Sequence, residues 1–178
     1  MQDVFVSTFL GNRFYPLRPH IDDIEIEDIA HGLAYQCRFN GQTSSFYSVA
    51  QHSVLVASLV PDELKLAALL HDAAEAYLGD IVKPLKMLVP EFAPIEKRVM
   101  EIIGQRFCVT GLTDLRIKHA DLTLLATEKR DLMPNSVETW SYLEGVAPLR
   151  EKIEPLSPEV AKREFLEVWQ CYTRLMTN

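Results

Sequence analysis

Apolar residues recur along this chain at helical spacing through most of its length. Ile26, Ile29, Ala30, Leu33 and Ala34 form one stripe and predict a helix over about 26–37. Glu25, Glu27 and Asp28 sit at its start, where the helix dipole favours anions. Val49, His52, Val56 and Leu59 predict a second helix from Ser48, a good N-cap, to about Leu59. Pro61 then breaks the pattern, and an Ala- and Leu-rich stretch predicts one continuous third helix over about 62–78, closed by Gly79. Pro84, Pro90 and Pro94 punctuate the next segment, which has room for one helical turn around 84–88.

A fourth helix is expected over about 94–107, with Ile95, Val99, Ile102, Ile103 and Phe107 facing inward. A fifth is expected over about 113–132, capped by Thr113 or Asp114, with Ile117, Leu124, Leu125 and Leu132 as its stripe and Pro134-Asn135-Ser136 after it. Ser157-Pro158-Glu159 opens a last helix that runs through Phe165, Val168, Trp169 and Tyr172. Strand character is confined to Val4, Val6, Thr8 and Leu10 before Gly11-Asn12, a short hairpin or an irregular cover. Arg38 to Ser45, with Asn40-Gly41 inside it, reads as a polar loop. Trp140, Tyr142, Trp169 and Tyr172 read as core, rim or an oligomer contact. The expected fold class is all-α: a compact bundle of about six or more helices, forming a single domain over 1–178.

Composition narrows the partners. Eighteen basic against 25 acidic residues give a net charge of −7, which disfavours a nucleic-acid-coating surface. Cys37, Cys108 and Cys171 are far apart and make no CxxC pair, so neither a zinc cluster nor a disulfide framework is expected. The start of the chain lacks the basic region and long apolar run of a signal peptide, and no stretch reaches the length of a membrane span. A cytoplasmic protein is expected, in the host cytoplasm if the chain is viral.

The candidate chemistry lies where ionisable residues interrupt apolar stripes. His52 is on the inner face of the second helix, and His71, Asp72 and Glu75 sit in the most apolar one. Asp121 lies between Ile117 and Leu124. Buried ionisable groups are costly unless paired, hydrogen-bonded or bound to a metal. If the helices pack together, His52, His71, Asp72 and Asp121 supply two imidazoles and two carboxylates. That set suits Mn²⁺, Fe²⁺, Co²⁺, Ni²⁺ or Zn²⁺ better than Mg²⁺. Spacing alone does not aim His71 and Asp72 at one point, because adjacent positions on a helix diverge by about 100°.

The order His52 … His71-Asp72 … Asp121 resembles the signature of the HD-domain superfamily of metal-dependent phosphohydrolases. Val49-Ala-Gln-His52, His71-Asp-Ala-Ala-Glu-Ala-Tyr-Leu-Gly-Asp80 and Lys118-His-Ala-Asp121 are similar to its 5′-deoxynucleotidase-like branch, which includes deoxynucleoside monophosphatases and phage dATP triphosphohydrolases. The resemblance covers about residues 24–133. It implies His52, His71, Asp72 and Asp121 as metal ligands, Glu75 as the group that orients or deprotonates water, and Asp80 as a supporting catalytic residue. It further implies phosphate contact by Lys86, and substrate contact by Arg38 and Phe39. Phe39 stands where the branch has Trp, and the spacing to His52 is one residue short. Members of the branch form dimers or larger rings, which implies a homo-oligomer.

The implied reaction is hydrolysis of a phosphate ester or anhydride on a small-molecule deoxynucleotide, either a 5′-monophosphate or a triphosphate, with a divalent metal as cofactor. The alternatives are a cyclic-nucleotide or (p)ppGpp hydrolase, and a non-catalytic nucleotide-sensing module. A sensor needs ligands but has no use for a base such as Glu75.

Overall fold

The computed structural model describes residues 4–134 and 140–176, and Asn135 and Ser136 of the expected helix stop lie outside them. The described residues form an all-α bundle. Its helices are α1 (Ile26–Tyr35), α2 (Val49–Ser58), α3 (Lys65–Leu69), α4 (Glu75–Leu78), α5 (Lys83–Leu88), α6 (Phe92–Phe107), α7 (Leu115–Leu132) and α8 (Pro158–Met176). Two short strands, β1 (Val6–Ser7) and β2 (Arg13–Phe14), pair antiparallel with Val6 opposite Phe14. This hairpin covers α4: Phe14 is fully buried and stacks on Tyr77 with ring centroids 4.1 Å apart.

The start signals behave as local chemistry requires. The Ser48 side chain accepts from the Gln51 N–H and caps α2, Asp114 accepts from the Arg116 N–H and caps α7, and Ser157 accepts from the Val160 N–H ahead of α8. Each satisfies a backbone donor that the first helical turn leaves without a partner.

Helix α2 is the axis of the molecule and packs against α1, α3, α7 and α8. It is buried nearly all round, with Val49, Ala50, Ser53, Val56 and Ala57 inside, while Leu59, expected on its inner stripe, is partly exposed just beyond its end. A helix wrapped in this way puts any polar side chain on it into the interior. Two of its polar residues find structural uses. Gln51 donates to the Glu154 carbonyl and accepts from the Leu156 N–H, tying down the segment that leads into α8. His52 points into the site.

The third helix is not continuous. The expected helix over 62–78 is a 3-10 turn at Asp62–Leu64, then α3, then turns from Leu70 to Ala74, then α4. Through the break the backbone bonds tighten to i→i−3: His71 N–H to Ala68 C=O, Ala73 to Leu70, Glu75 to Asp72 and Ala76 to Ala73. No Pro or Gly lies between Leu64 and Leu78, so propensity gave no warning. Tertiary contacts hold the break instead. The Ala74 N–H meets Met100 Sδ, the Gln36 amide donates to the Glu75 carbonyl at 2.8 Å, and Tyr77 Oη accepts from the Glu25 N–H. Gly32 of α1 lets Ala76 approach so closely that a Cβ at position 32 would sit 2.9 Å from the Ala76 carbonyl oxygen.

Candidate metal and phosphate site

The break between α3 and α4 solves the problem the sequence posed. Because the chain turns tightly there, adjacent His71 and Asp72 face one point. His52 from α2, His71 and Asp72 offer ligand atoms that all lie within 4.8 Å of one another. His71 Nε2 is 3.1 Å from Asp72 Oδ2, and His52 Nε2 is 3.6 Å from the same oxygen. Asp121 reaches in from α7, with Oδ1 3.5 Å from His52 Nε2 and its other oxygen held by Lys118. Asp121 therefore stands at the edge of a tighter group of three.

The outer atoms of both imidazoles are spoken for. His71 Nδ1 lies 2.7 Å from the Ala68 carbonyl, which only accepts, so Nδ1 carries the hydrogen. His52 Nδ1 lies 2.6 Å from Glu128 Oε1. Burial opposes ionisation of Glu128, but the Arg38 and His52 charges hold its carboxyl below the usual range. It therefore accepts from Nδ1. In the neutral tautomer both Nε2 atoms then present a lone pair, and both are buried without a hydrogen-bond partner. Two such nitrogens beside carboxylates are what a borderline divalent cation binds.

Electrostatics at the centre run the same way. Burial raises the cost of charge on Asp72 and on Asp121, yet their neighbours hold both carboxyls far below their ordinary range, His71 foremost for Asp72 and His52 for Asp121. His52 is pushed up to about 9, because Glu128 and Asp121 outweigh burial and the Arg38 charge. A proton on His52 thus offsets carboxylate charge here, a service a metal cation would perform in its place.

Glu75 opens α4, buried beside this group. Burial first, then Asp72 and Asp80, push its carboxyl well above the usual range. Its Oε1 is 3.4 Å from Lys86 Nζ, while Oε2 is buried with no partner. Asp80 is on the same wall, its N–H bonded to Gln36 Oε1 and its carboxyl raised mainly by burial. Lys86 is held by Glu96 at 2.6 Å as well as by Glu75.

Arg38 is only 9 % exposed. It bonds Glu128 Oε2 at 3.1 Å and lies 3.7 Å from Asp72 Oδ2. It is thus built into the charge network as well as lining the cavity. The expected polar loop around it is a 3-10 turn over Arg38–Gly41 with Phe39 and Asn40 at φ of 55° and 52°.

Beside this centre lies a cavity of about 650 Å³, in which Arg38, Lys83, Lys86 and Lys118 share the lining with Asp72, Glu75, Asp80 and Asp121. A second cavity of about 330 Å³ opens on the other side of His71, Asp72, Glu75 and Lys86, between α4 and α6. Of the residues expected at the site, Arg38, Phe39, Asp72, Glu75, Asp80, Lys86 and Asp121 line the large cavity, His71 lines only the second, and His52 is fully buried and lines neither. Trp140 and Tyr142, read from the sequence as core, rim or an oligomer contact, are not core: both line the large cavity. Trp169 and Tyr172 do pack against the core.

Sequence reasoning missed Glu128 altogether. Its signal was available: it lies seven positions after Asp121 and four before Leu132, on the same buried stripe of α7.

The fold and site define an all-α protein with a buried histidine–aspartate centre open to a cavity. No family model matches the chain. It is 44 % identical over 165 residues to the uncharacterized protein YfdR of Escherichia coli, covering 92 % of each chain, and it belongs to the same family. An uncharacterized protein of Rhodobacter capsulatus is 42 % identical over 120 residues, 62 % of this chain and 61 % of the relative. No helix among the described residues is long and apolar enough to cross a membrane.

Proposed function

We propose that this protein is a metal-dependent phosphohydrolase of the HD-domain type, acting on a deoxynucleotide monophosphate or triphosphate. The observation that carries the reading is the pair of unpartnered Nε2 atoms of His52 and His71 facing Asp72. His52, His71 and Asp72, with Asp121 at the edge, would hold a divalent ion such as Mn²⁺, Co²⁺, Zn²⁺, Fe²⁺ or Ni²⁺. Such an ion supplies Lewis acidity toward a water and a phosphoryl oxygen.

The chain's own groups do the rest. Glu75 is a buried carboxyl with one oxygen free, its proton affinity raised by burial and then by Asp72 and Asp80. It takes the proton of the attacking water. Arg38, Lys83, Lys86 and Lys118 face the phosphate. All but Lys83 already serve a carboxylate: Arg38 serves Glu128, Lys86 serves Glu96 and Lys118 serves Asp121. Carboxylates here outnumber free cationic charge, so an anionic substrate needs the added positive charge of the ion. Asp80 lines the same cavity, where the Arg38 charge partly offsets the effect of burial on its carboxyl.

The reading is tested by incubating metal-loaded protein with each deoxynucleoside monophosphate and triphosphate, in Mn²⁺, Co²⁺, Zn²⁺ and Mg²⁺ in turn. Free phosphate or triphosphate should appear with the wild type and not with Asp72→Ala. Full turnover after metal stripping would overturn the metal-dependent part, and no turnover of any nucleotide would overturn the whole.

A further inference from the structure

We infer that the cavity carries a base-stacking subsite built from Trp140 and Tyr142, with Phe39 as its inner edge, so that the preferred ligands bear an aromatic base. The inference extends the hydrolase reading, from which it takes only that the phosphate lies at the His52–Asp72 end.

The large cavity is lined by carboxylates and cationic groups and also by aromatic rings, which come together where the 38–41 turn meets the 140–142 segment. Phe39 and Trp140 have ring centroids 6.1 Å apart, and Trp140 and Tyr142 lie 5.8 Å apart with their planes at 30°. Three rings in a row on the wall of a charged cavity are not core packing: Tyr142 is 40 % exposed.

The rings are also held in place. Lys129 lies over Trp140 at 5.0 Å, Lys83 over Tyr142 at 4.4 Å and the Arg38 guanidinium over Phe39 at 5.3 Å. A pre-set aromatic surface loses little entropy when a flat ring lands on it.

The backbone gives an independent observation. Phe39 and Asn40 are consecutive non-glycine residues in the left-handed region, followed by Gly41 at φ of 74°. Asn tolerates that conformation, but Phe rarely adopts it. The strain sets Phe39 and Asn40 on the cavity wall. Strain of this kind concentrates at ligand sites.

Stacking favours any base over none and discriminates weakly between bases, because every base presents a π face. A volume of about 650 Å³ falls in the range of ordinary ligand pockets. The site therefore fits a purine or pyrimidine nucleotide better than a bare sugar phosphate.

The test uses the full chain and nucleosides, which lack phosphate and so do not depend on hydrolysis. The chain has two tryptophans, and Trp169 packs against Phe107. Deoxyadenosine and thymidine should both quench indole fluorescence in the wild type and in Trp169→Phe, but not in Trp140→Phe. By calorimetry, Trp140→Ala should weaken both nucleosides about tenfold, the scale of one lost base stack, with 2-deoxyribose binding unchanged. Tyr142→Ala, at a more exposed position, should weaken them in the same direction. Absence of quenching in the wild type, quenching that survives in Trp140→Phe, or equal loss for nucleoside and bare sugar would each overturn the subsite. A protein that stacks nucleosides but hydrolyses no nucleotide keeps the subsite and discards the hydrolase reading. A hydrolase whose tryptophan ignores nucleosides does the reverse.

Discussion

Glu128 Oε1 lies 2.6 Å from His52 Nδ1, and its other oxygen accepts from Arg38 at 3.1 Å. One fully buried carboxylate thus fixes the tautomer of a candidate metal ligand and anchors the Arg38 guanidinium beside Asp72. Its loss should be felt in both roles. Glu128→Gln keeps the volume but removes the charge, and Mn²⁺ affinity measured by calorimetry should fall about 10–100-fold, the usual effect of removing such a partner. Glu128→Ala also leaves Arg38 buried without its main partner, and should cost about 3 kcal/mol in urea denaturation. Unchanged metal affinity in Glu128→Gln would mean that the tautomer is set some other way.

His71 makes one hydrogen bond outward, to the Ala68 carbonyl, and turns Nε2 to the centre. His71→Ala should therefore abolish retention of Mn²⁺ or Co²⁺ in equilibrium dialysis while the far-ultraviolet dichroism stays helical. A variant that still binds the ion as the wild type does would remove His71 from the ligand set.

Glu75 divides binding from chemistry. Glu75→Gln keeps the shape of the side chain but cannot accept the proton, so kcat should drop about 10²–10⁴-fold with metal content unchanged. If metal is lost along with turnover, Glu75 is a ligand rather than a base.

Gly32 tests the link between packing and site. A Cβ there would meet backbone and side-chain atoms of Ala76 at 2.9–3.0 Å. Backbone cannot swing aside, so Gly32→Ala must push α4 away from α1. The expected cost is about 1–3 kcal/mol by denaturation, despite the better helix propensity of Ala. Because Glu75 is the first residue of α4, turnover should fall as well, which a purely local loss of stability would not produce.

By itself the sequence determined the elements whose causes are local. The caps at Ser48 and Ser157, a cap at Thr113 or Asp114, and the inward faces of α1, α6 and α7 follow from hydrogen-bonding side chains and 3.6-residue periodicity within a few positions. It also singled out His52, His71, Asp72 and Asp121, because a charged residue in an apolar stripe is visible as an anomaly without any knowledge of its neighbours.

Tertiary structure decided how those residues are used. The break at Leu70–Ala74 lies among good helix formers and is held by Gln36, Met100 and the close approach of Gly32, all distant in sequence. Without that break, His71 and Asp72 would point apart. Glu128 gained its role from α2 and Arg38, and Trp140 and Tyr142 gained theirs from the 38–41 turn across the cavity. A pattern along one helix records which face is buried, but what that face meets is fixed only when another element is laid against it.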